Sequence, residues 1–205
     1  MLKGYGKRHR GNGDRDLNAA VMTRAALMAA FTAVAAQISI PLEPVPFTFQ
    51  VFAVVLTGLL LGPRYGALAM AIYLLLGAVG VPVFAQFSGG LGTLFGPTGG
   101  YLISYPLAAA FAGMAAGTVA IAPRRRGVIA GILWGCVALA AIYVIGVAWL
   151  AVLAGLSLGA AIVAGFLPFV GFDLVKVVLA ALVAVAVAPA IAARPGTGRD
   201  AKGRP

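Results

Sequence analysis

The chain alternates long apolar stretches with short polar or Gly/Pro-containing segments. A run of roughly 20 apolar residues is long enough for a helix to cross the hydrocarbon core of a bilayer. The pattern predicts an all-α integral membrane protein with six transmembrane helices, the last kinked near Pro168. The predicted helices are residues 17–39, 47–62, 65–79, 101–122, 128–154 and 160–192.

The polar segments divide the chain further. Residues 1–16 read as a disordered basic tail, 17–193 as the six-helix membrane domain and 194–205 as a second polar tail. Residues 80–100 contain seven glycines and two prolines together with many apolar side chains. This mixture is too apolar for a free linker, so we predict an ordered cap that packs on the helices.

Composition and charge set the orientation. The chain is 62% hydrophobic and 10% charged, which excludes an ordinary water-soluble domain. Basic residues occupy both tails and the turns near 62–64 and 123–126, whereas segments 40–46, 80–100 and 155–159 contain none. The positive-inside rule then places both termini in the cytoplasm. We expect a multi-pass protein of a bacterial-type plasma membrane.

The net charge of +10 arises largely from the basic residues of these tails and turns. With no soluble basic face, we expect contact with membrane lipid and not with nucleic acid. The basic start and apolar stretch also resemble a signal peptide, but the run to residue 40 is longer than usual, which favours a retained first helix.

The sequence lacks the residues that several classes of enzyme need. His9 is the only histidine and Cys136 the only cysteine, so a His/Cys metal site has no ligands. No Walker A pattern is present, and no apolar segment offers a histidine to activate a serine. We therefore predict that the protein is not an enzyme and needs no metal or cofactor.

The strongest chemical feature is Asp173 with Lys176 in the last predicted helix. Charges in a spanning segment are costly and usually functional, and residues three apart lie on nearly one helix face. The pair is either a structural ion pair or a site for a small ligand with N–H and oxygen groups. The other acid of the core region, Glu43, falls in a loop, where a solvated charge is the simpler interpretation.

Two further segments lie at the same predicted outer side. The sequence PVPFTFQ at 44–50 offers Thr48 and Gln50, either as inward polar groups or as helix-capping and packing residues. The sequence GPTGGY at 96–101 offers Thr98, Gly99 and Tyr101, either as a ligand-binding helix start or as a plain turn and cap. Aromatic residues here could line an apolar pocket or simply pack: Phe84, Phe87, Tyr101 and Tyr105.

Small residues recur every fourth position at Ala25, Ala29 and Ala33, and again at Gly127, Gly131 and Gly135. Such stripes let helices approach closely in lipid. They indicate either packing within this chain or docking onto a partner membrane protein.

Taken in order, these segments resemble the BioY family, the biotin-specific substrate-binding subunits (S components) of energy-coupling factor transporters. The resemblance covers most of residues 17–192. It rests on PVPFTFQ (44–50), LLLGPR (59–64), YLLLG (73–77), GVPVFA (80–85), GPTGGYL (96–102) and DLVK (173–176). At Gln86-Phe87-Ser88 the chain departs from the smaller, Gly-rich sequence expected of the family.

The resemblance implies capture of biotin, as a transported ligand, in a pocket at the outer face. It implies that Asp173 accepts from the ureido N–H groups and that Lys176 donates to a biotin oxygen. It also implies a partner module of one transmembrane coupling subunit and two ATPase subunits, docked at Ala25, Ala29 and Ala33. The remaining candidate contacts are Thr48, Gln50, Phe84, Ser88, Gly89, Gly90, Thr98, Gly99 and Tyr101.

Two other hypotheses stay open at the level of the sequence. One is a stand-alone secondary transporter of a small carboxylate-bearing vitamin, with the ion pair taking part in coupling. The other is a structural or assembly protein that uses only its small-residue stripes.

Overall fold

The computed structural model describes the backbone of residues 11–192 and the side chains of residues 19–191. This part of the chain forms eight α-helices, a two-stranded antiparallel ladder and one 3-10 turn, Ala85–Phe87. Residues 1–10 of the predicted N-terminal tail, the predicted C-terminal tail 194–205 and residue 193 lie outside it. The elements are α1 Gly11–Gln37, β1 Ser39–Ile40, β2 Phe47–Thr48, α2 Gln50–Ala78, α3 Leu91–Leu94, α4 Gly99–Gly113, α5 Ala116–Ile121, α6 Arg124–Ala154, α7 Leu158–Gly165 and α8 Leu167–Ala192.

Four of the described helices are long and apolar enough to cross a membrane. They are Ala19–Gln37, Gln50–Ala78, Arg124–Ala154 and Leu167–Ile191. The chain is thus a multi-pass membrane protein with an almost entirely helical fold.

Helix α2 is two antiparallel segments joined by a tight turn. Gly62 has φ of 79°, a left-handed value that favours glycine, and Pro63 follows it. Beyond this break the chain folds back, because a Cβ added to Gly66 would lie 3.0 Å from the Cα of Gly58. The sequence-predicted turn between residues 62 and 65 is therefore present.

Other predicted boundaries differ from the structure. Helix α1 begins at Gly11, so residues 11–16, predicted as disordered tail, are helical. The segment 40–46, predicted as irregular, is closed by the pairing of Ser39 with Thr48 and of Ile40 with Phe47.

Two predicted helices are each divided. The fourth is split into α4 and α5 at Met114-Ala115, whose dihedral angles stay close to helical. The predicted sixth is split at Phe166, next to the expected kink, and Pro168 then falls in the first turn of α8, where its missing N–H costs nothing.

Glycines allow the helices to pack at short range. Helix α2 packs on α4, α1 and α8, and α6 packs on α4 and α8. A Cβ at Gly131 would meet Ala181 at 2.9 Å, and one at Gly135 would meet Val177 at 2.6 Å. The glycine stripe of α6 therefore forms the seam with α8, which is packing within this chain.

The cap formed by residues 80–98 is ordered, as predicted. The side chain of Gln37, at the end of α1, donates to the Phe84 carbonyl at 3.0 Å and accepts from the Phe87 N–H at 2.9 Å. Between these contacts Gln86 and Phe87 have φ of 57° and 55°. Left-handed backbone favours glycine, which gives a physical reason for the smaller, Gly-rich sequence expected at this point.

We expect Gly135→Ala to destabilise the protein by about 1–3 kcal/mol, because the added methyl group overpacks the α6–α8 seam. The matched control is Gly117→Ala in α5, where a Cβ meets nothing within 4 Å. This control should be neutral or slightly stabilising, because alanine is the better helix former. Thermal unfolding of both variants in detergent measures the difference in stability. Equal unfolding midpoints for the two variants would contradict the close packing of α6 against α8.

Candidate functional site

A cavity of about 430 Å³ opens at the end of the bundle that carries the β1–β2 loop and the cap. Its volume lies in the range of small-molecule sites, roughly 300–1,000 Å³. Helices α2, α4, α6 and α8 form its floor and walls, and residues 41–47 cover one side. The segments that the sequence placed at one outer face thus meet around a single cavity.

The floor of the cavity holds a buried ion pair. The Lys176 ammonium lies 2.6 Å from Oδ1 of Asp173, and the two residues are 3% and 5% exposed. The hydroxyl of Tyr143, on α6, donates to Oδ2 of Asp173 at 2.6 Å. Both carboxylate oxygens therefore have a partner, yet a carboxylate can accept about four hydrogen bonds, so it keeps capacity for a ligand.

Lys176 also connects α8 to the β1–β2 hairpin. Its Nζ donates to the Thr48 carbonyl at 2.6 Å and lies 3.7 Å from the centroid of the Phe47 ring. With Asp173 as the third contact, the ammonium is surrounded by groups of the protein itself. A buried ammonium needs such partners, because losing its water costs several kcal/mol.

A second polar chain joins the hairpin to α2 and the cap. The Thr48 hydroxyl donates to Oε1 of Gln50 at 2.9 Å, and Nε2 of Gln50 donates to the Tyr73 hydroxyl at 2.7 Å. Tyr73 in turn donates to the Val83 carbonyl at 3.0 Å. Buried polar groups must be paired inside a membrane domain, and this pairing fixes both covering segments to the same floor.

The structure brings together most of the predicted site residues. Eight of them line the cavity: Thr48, Gln50, Phe84, Ser88, Thr98, Tyr101, Asp173 and Lys176.

Three predicted glycines, Gly89, Gly90 and Gly99, are not among the residues that line the cavity, and their contact with a ligand stays a prediction. A Cβ at Gly89 would meet the Val81 carbonyl, and one at Gly99 would collide with Leu94 and Trp149. Gly90 has φ of 87° and donates to the Gly77 carbonyl at 2.6 Å. In the structure these glycines permit the backbone conformation and close packing of the cap and of the start of α4.

Sequence reasoning missed several wall residues and did not foresee that the exposed Glu43 reaches the cavity. Tyr143 and Ile142, from the middle of α6, line the cavity, although nothing in the local sequence distinguishes them from packing residues. Glu43, interpreted as a solvated loop charge, is exposed but also lines the cavity. The place of Glu43 at the cavity depends on how the loop of residues 41–46 folds over the floor, which the local sequence does not show.

The structure places the predicted docking stripe mostly inside the chain, and its contact with a partner stays a prediction. Ala25 and Ala29 are 0% and 1% exposed and belong to the core, with Ala33 packed against it. They face α2 within the chain, as the packing alternative proposed. The exposed small residues of the neighbouring face are Ala26 and Ala30.

Comparisons with known proteins agree on the family of this chain. The model of the BioY family matches residues 9–193. The chain is 45% identical over 159 residues to the probable biotin transporter BioY of Pyrococcus horikoshii, covering 78% of this chain and 90% of that protein. It is also 45% identical over 164 residues to the biotin transporter BioY of Thermotoga maritima, covering 80% of this chain and 93% of that protein.

The fold is similar to a solved structure as well. A crystal structure of the S-component for biotin from an ECF-type ABC transporter superposes with a TM-score of 0.73. The alignment covers 84% of this chain and 92% of that chain, at 24% sequence identity.

We expect Tyr143→Phe to lower the free energy of unfolding by about 1.5–3 kcal/mol, because Asp173 loses a charge-assisted hydrogen bond in a buried site. Tyr65→Phe is the control, since Tyr65 lies just after the Gly62-Pro63 turn of α2 and is 43% exposed, and it should change stability by less than about 0.5 kcal/mol. Thermal unfolding in detergent compares the two variants. A similar effect in both would argue against the Tyr143–Asp173 bond.

Proposed function

Since the chain belongs to the BioY family, we propose that it is the biotin-binding subunit of a vitamin importer, with the ligand held in the cavity above Asp173. The observation that carries this assignment is the buried Asp173–Lys176 pair on the floor of a cavity of about 430 Å³. The names of the relatives in P. horikoshii and T. maritima support biotin as the ligand. The protein acts in transport and not in catalysis, and biotin is cargo, not a cofactor.

Asp173 is the acceptor for the ureido ring. A cyclic urea presents N–H donors beside a carbonyl acceptor, and a buried carboxylate is the strongest acceptor that a protein can offer to such donors. Tyr143 and Lys176 hold one oxygen each, which fixes the plane of the carboxylate before the ligand arrives. Lys176 contributes by neutralising Asp173 and by attaching the hairpin.

Tyr105 is the best donor for the ureido carbonyl. It lines the cavity, is only 4% exposed, and makes no hydrogen bond to the described residues. No buried polar side-chain atom of the described chain lacks a partner, so the free Tyr105 hydroxyl must lie at the cavity surface. The other cavity phenols, Tyr101 and Tyr143, donate to Gly165 and Asp173.

Six crossings with both termini in the cytoplasm account for the distribution of charge. The α2 hairpin supplies two crossings and α4 with α5 supplies one, in addition to α1, α6 and α8. Arg64 follows the α2 turn and Arg124, Arg125 and Arg126 begin α6, at the end opposite the cavity. Under the positive-inside rule the cavity then faces outward from the plasma membrane.

The partners follow from the family. We propose that separate ATPase subunits and a transmembrane coupling subunit of an energy-coupling factor module drive the transport. The related crystal structure, an S-component from an ECF-type ABC transporter, supports this assignment. The absence of a Walker A pattern from the sequence agrees with ATP hydrolysis on other chains.

Isothermal titration calorimetry of biotin into the purified protein tests the proposal. Binding is expected, and Asp173→Asn should weaken it by about 1.5 kcal/mol or more, because the charged acceptor is lost. If biotin gives no heat of binding with the parent protein, the assignment is wrong. Unchanged affinity of a folded Asp173→Asn variant would remove Asp173 from the site.

Tyr105→Phe should weaken biotin binding by about 0.5–1.5 kcal/mol, because one neutral hydrogen bond to the ligand is lost. The same variant should keep its unfolding midpoint without ligand, since the hydroxyl has no partner among the described residues to lose. Tyr143→Phe is the contrasting variant, because its hydroxyl does have an internal partner. Full affinity of Tyr105→Phe would rule out the ureido contact.

A further inference from the structure

The described residues place no free cation in the cavity for a ligand carboxylate. Of the basic side chains that the structure describes, only Lys176 lines the cavity, and its ammonium contacts Asp173, Thr48 and Phe47. Arg24 lies at the other end of the bundle, where it donates to the Ile191 carbonyl at 3.4 Å. Arg64 and the arginines that begin α6 share that end.

The remaining charge at the cavity has the opposite sign. Asp173 and Lys176 compensate each other at 2.6 Å, which leaves the exposed Glu43 as the uncompensated charge of the lining. A ligand carboxylate near the mouth would therefore meet weak repulsion, reduced by water and salt.

The hydroxyl groups do not replace a cation. Ser88 donates to the Ala85 carbonyl at 2.8 Å and Thr93 to the Gly89 carbonyl at 3.2 Å, so both offer the cavity only lone pairs. Thr98 retains a hydroxyl that does not cap α4. The Gln86 amide also lines the cavity, and uncharged donors such as these bind an anion more weakly than a cation does.

The N-terminus of α4, an expected anion site, is mostly paired, and of its first N–H groups only that of Gly100 has no acceptor among the described residues. The Gly99 N–H bonds to the Gly96 carbonyl at 3.0 Å, and the Tyr101 N–H bonds to the Thr98 carbonyl at 3.1 Å. A helix start attracts anions through unpaired N–H groups, and these two groups already have acceptors.

We infer, on the basis of the proposed biotin site, that this protein selects its ligand by the cyclic urea and not by the charge of the tail. Its substrate class is then ureido-ring compounds whose side chain ends in a neutral amide as well as those ending in an acid. Glu43 is the residue that sets the small preference between the two. The acid of biotin stays hydrated at the open mouth of the cavity.

Calorimetry with biotin and biotinamide on the full-length protein tests this inference, because the amide has the shape of the acid without its charge. The two dissociation constants are expected to agree within about tenfold. A recognised carboxylate would instead cost more than tenfold when neutralised, since hydrogen bonds to charged groups contribute about 1.5–3 kcal/mol. Biotinamide binding more than tenfold weaker than biotin therefore overturns the inference.

Glu43→Gln supplies the second measurement. It should tighten biotin by about twofold to fivefold, through lost repulsion near water, and leave biotinamide unchanged. Biotinamide is thus the internal control for folding of this variant. An equal change for both ligands, or no change for biotin, would overturn the role of Glu43.

The two levels of the argument fail in different ways. If neither ligand binds the parent protein, the proposed biotin function is wrong. If biotin binds and biotinamide does not, the function stands and selection by the cyclic urea alone is wrong.

Discussion

Two opposite charges buried in one membrane helix are the constraint on which the rest of the site depends. Each ion loses several kcal/mol of hydration, which only close partners can compensate. Asp173 receives Lys176 and Tyr143, and Lys176 receives Asp173, Thr48 and the Phe47 ring. These partners come from α6, α8 and the β1–β2 hairpin, so satisfying the pair also closes one end of the bundle.

The glycine seam makes this arrangement possible. Apolar side chains gain little by leaving lipid for protein, so close packing and hydrogen bonds must hold membrane helices together. Gly131 and Gly135 bring α6 against α8 at Ala181 and Val177. Two turns further along α6, the same register places Tyr143 at 2.6 Å from Asp173. Packing at the centre of the membrane domain thus sets the geometry at the cavity floor.

The cavity separates two kinds of chemistry. Its floor carries a fixed, compensated ion pair and a free phenol, which suit a polar ring that needs both an acceptor and a donor. Its mouth is covered by a proline-rich loop with one acid and by hydroxyls that already donate to the backbone. The polar groups available to a ligand are therefore concentrated at the buried end, where the low dielectric strengthens each hydrogen bond.

The sequence by itself determined the membrane class, the turn at Gly62-Pro63, the ordered cap and the pairing of Asp173 with Lys176. Each of these features depends on the residue pattern of a single segment or on the cost of placing a charge in lipid. Neither requires knowledge of how distant segments pack. Only the tertiary structure decided that Tyr143 and Tyr105 join the site, that Glu43 lines it, and that Gly89, Gly90 and Gly99 do not. It also decided that Ala25 and Ala29 face inward. The reason is physical: which face of a helix meets a cavity depends on the rotation and register of its neighbours, and residues far apart in the chain set both.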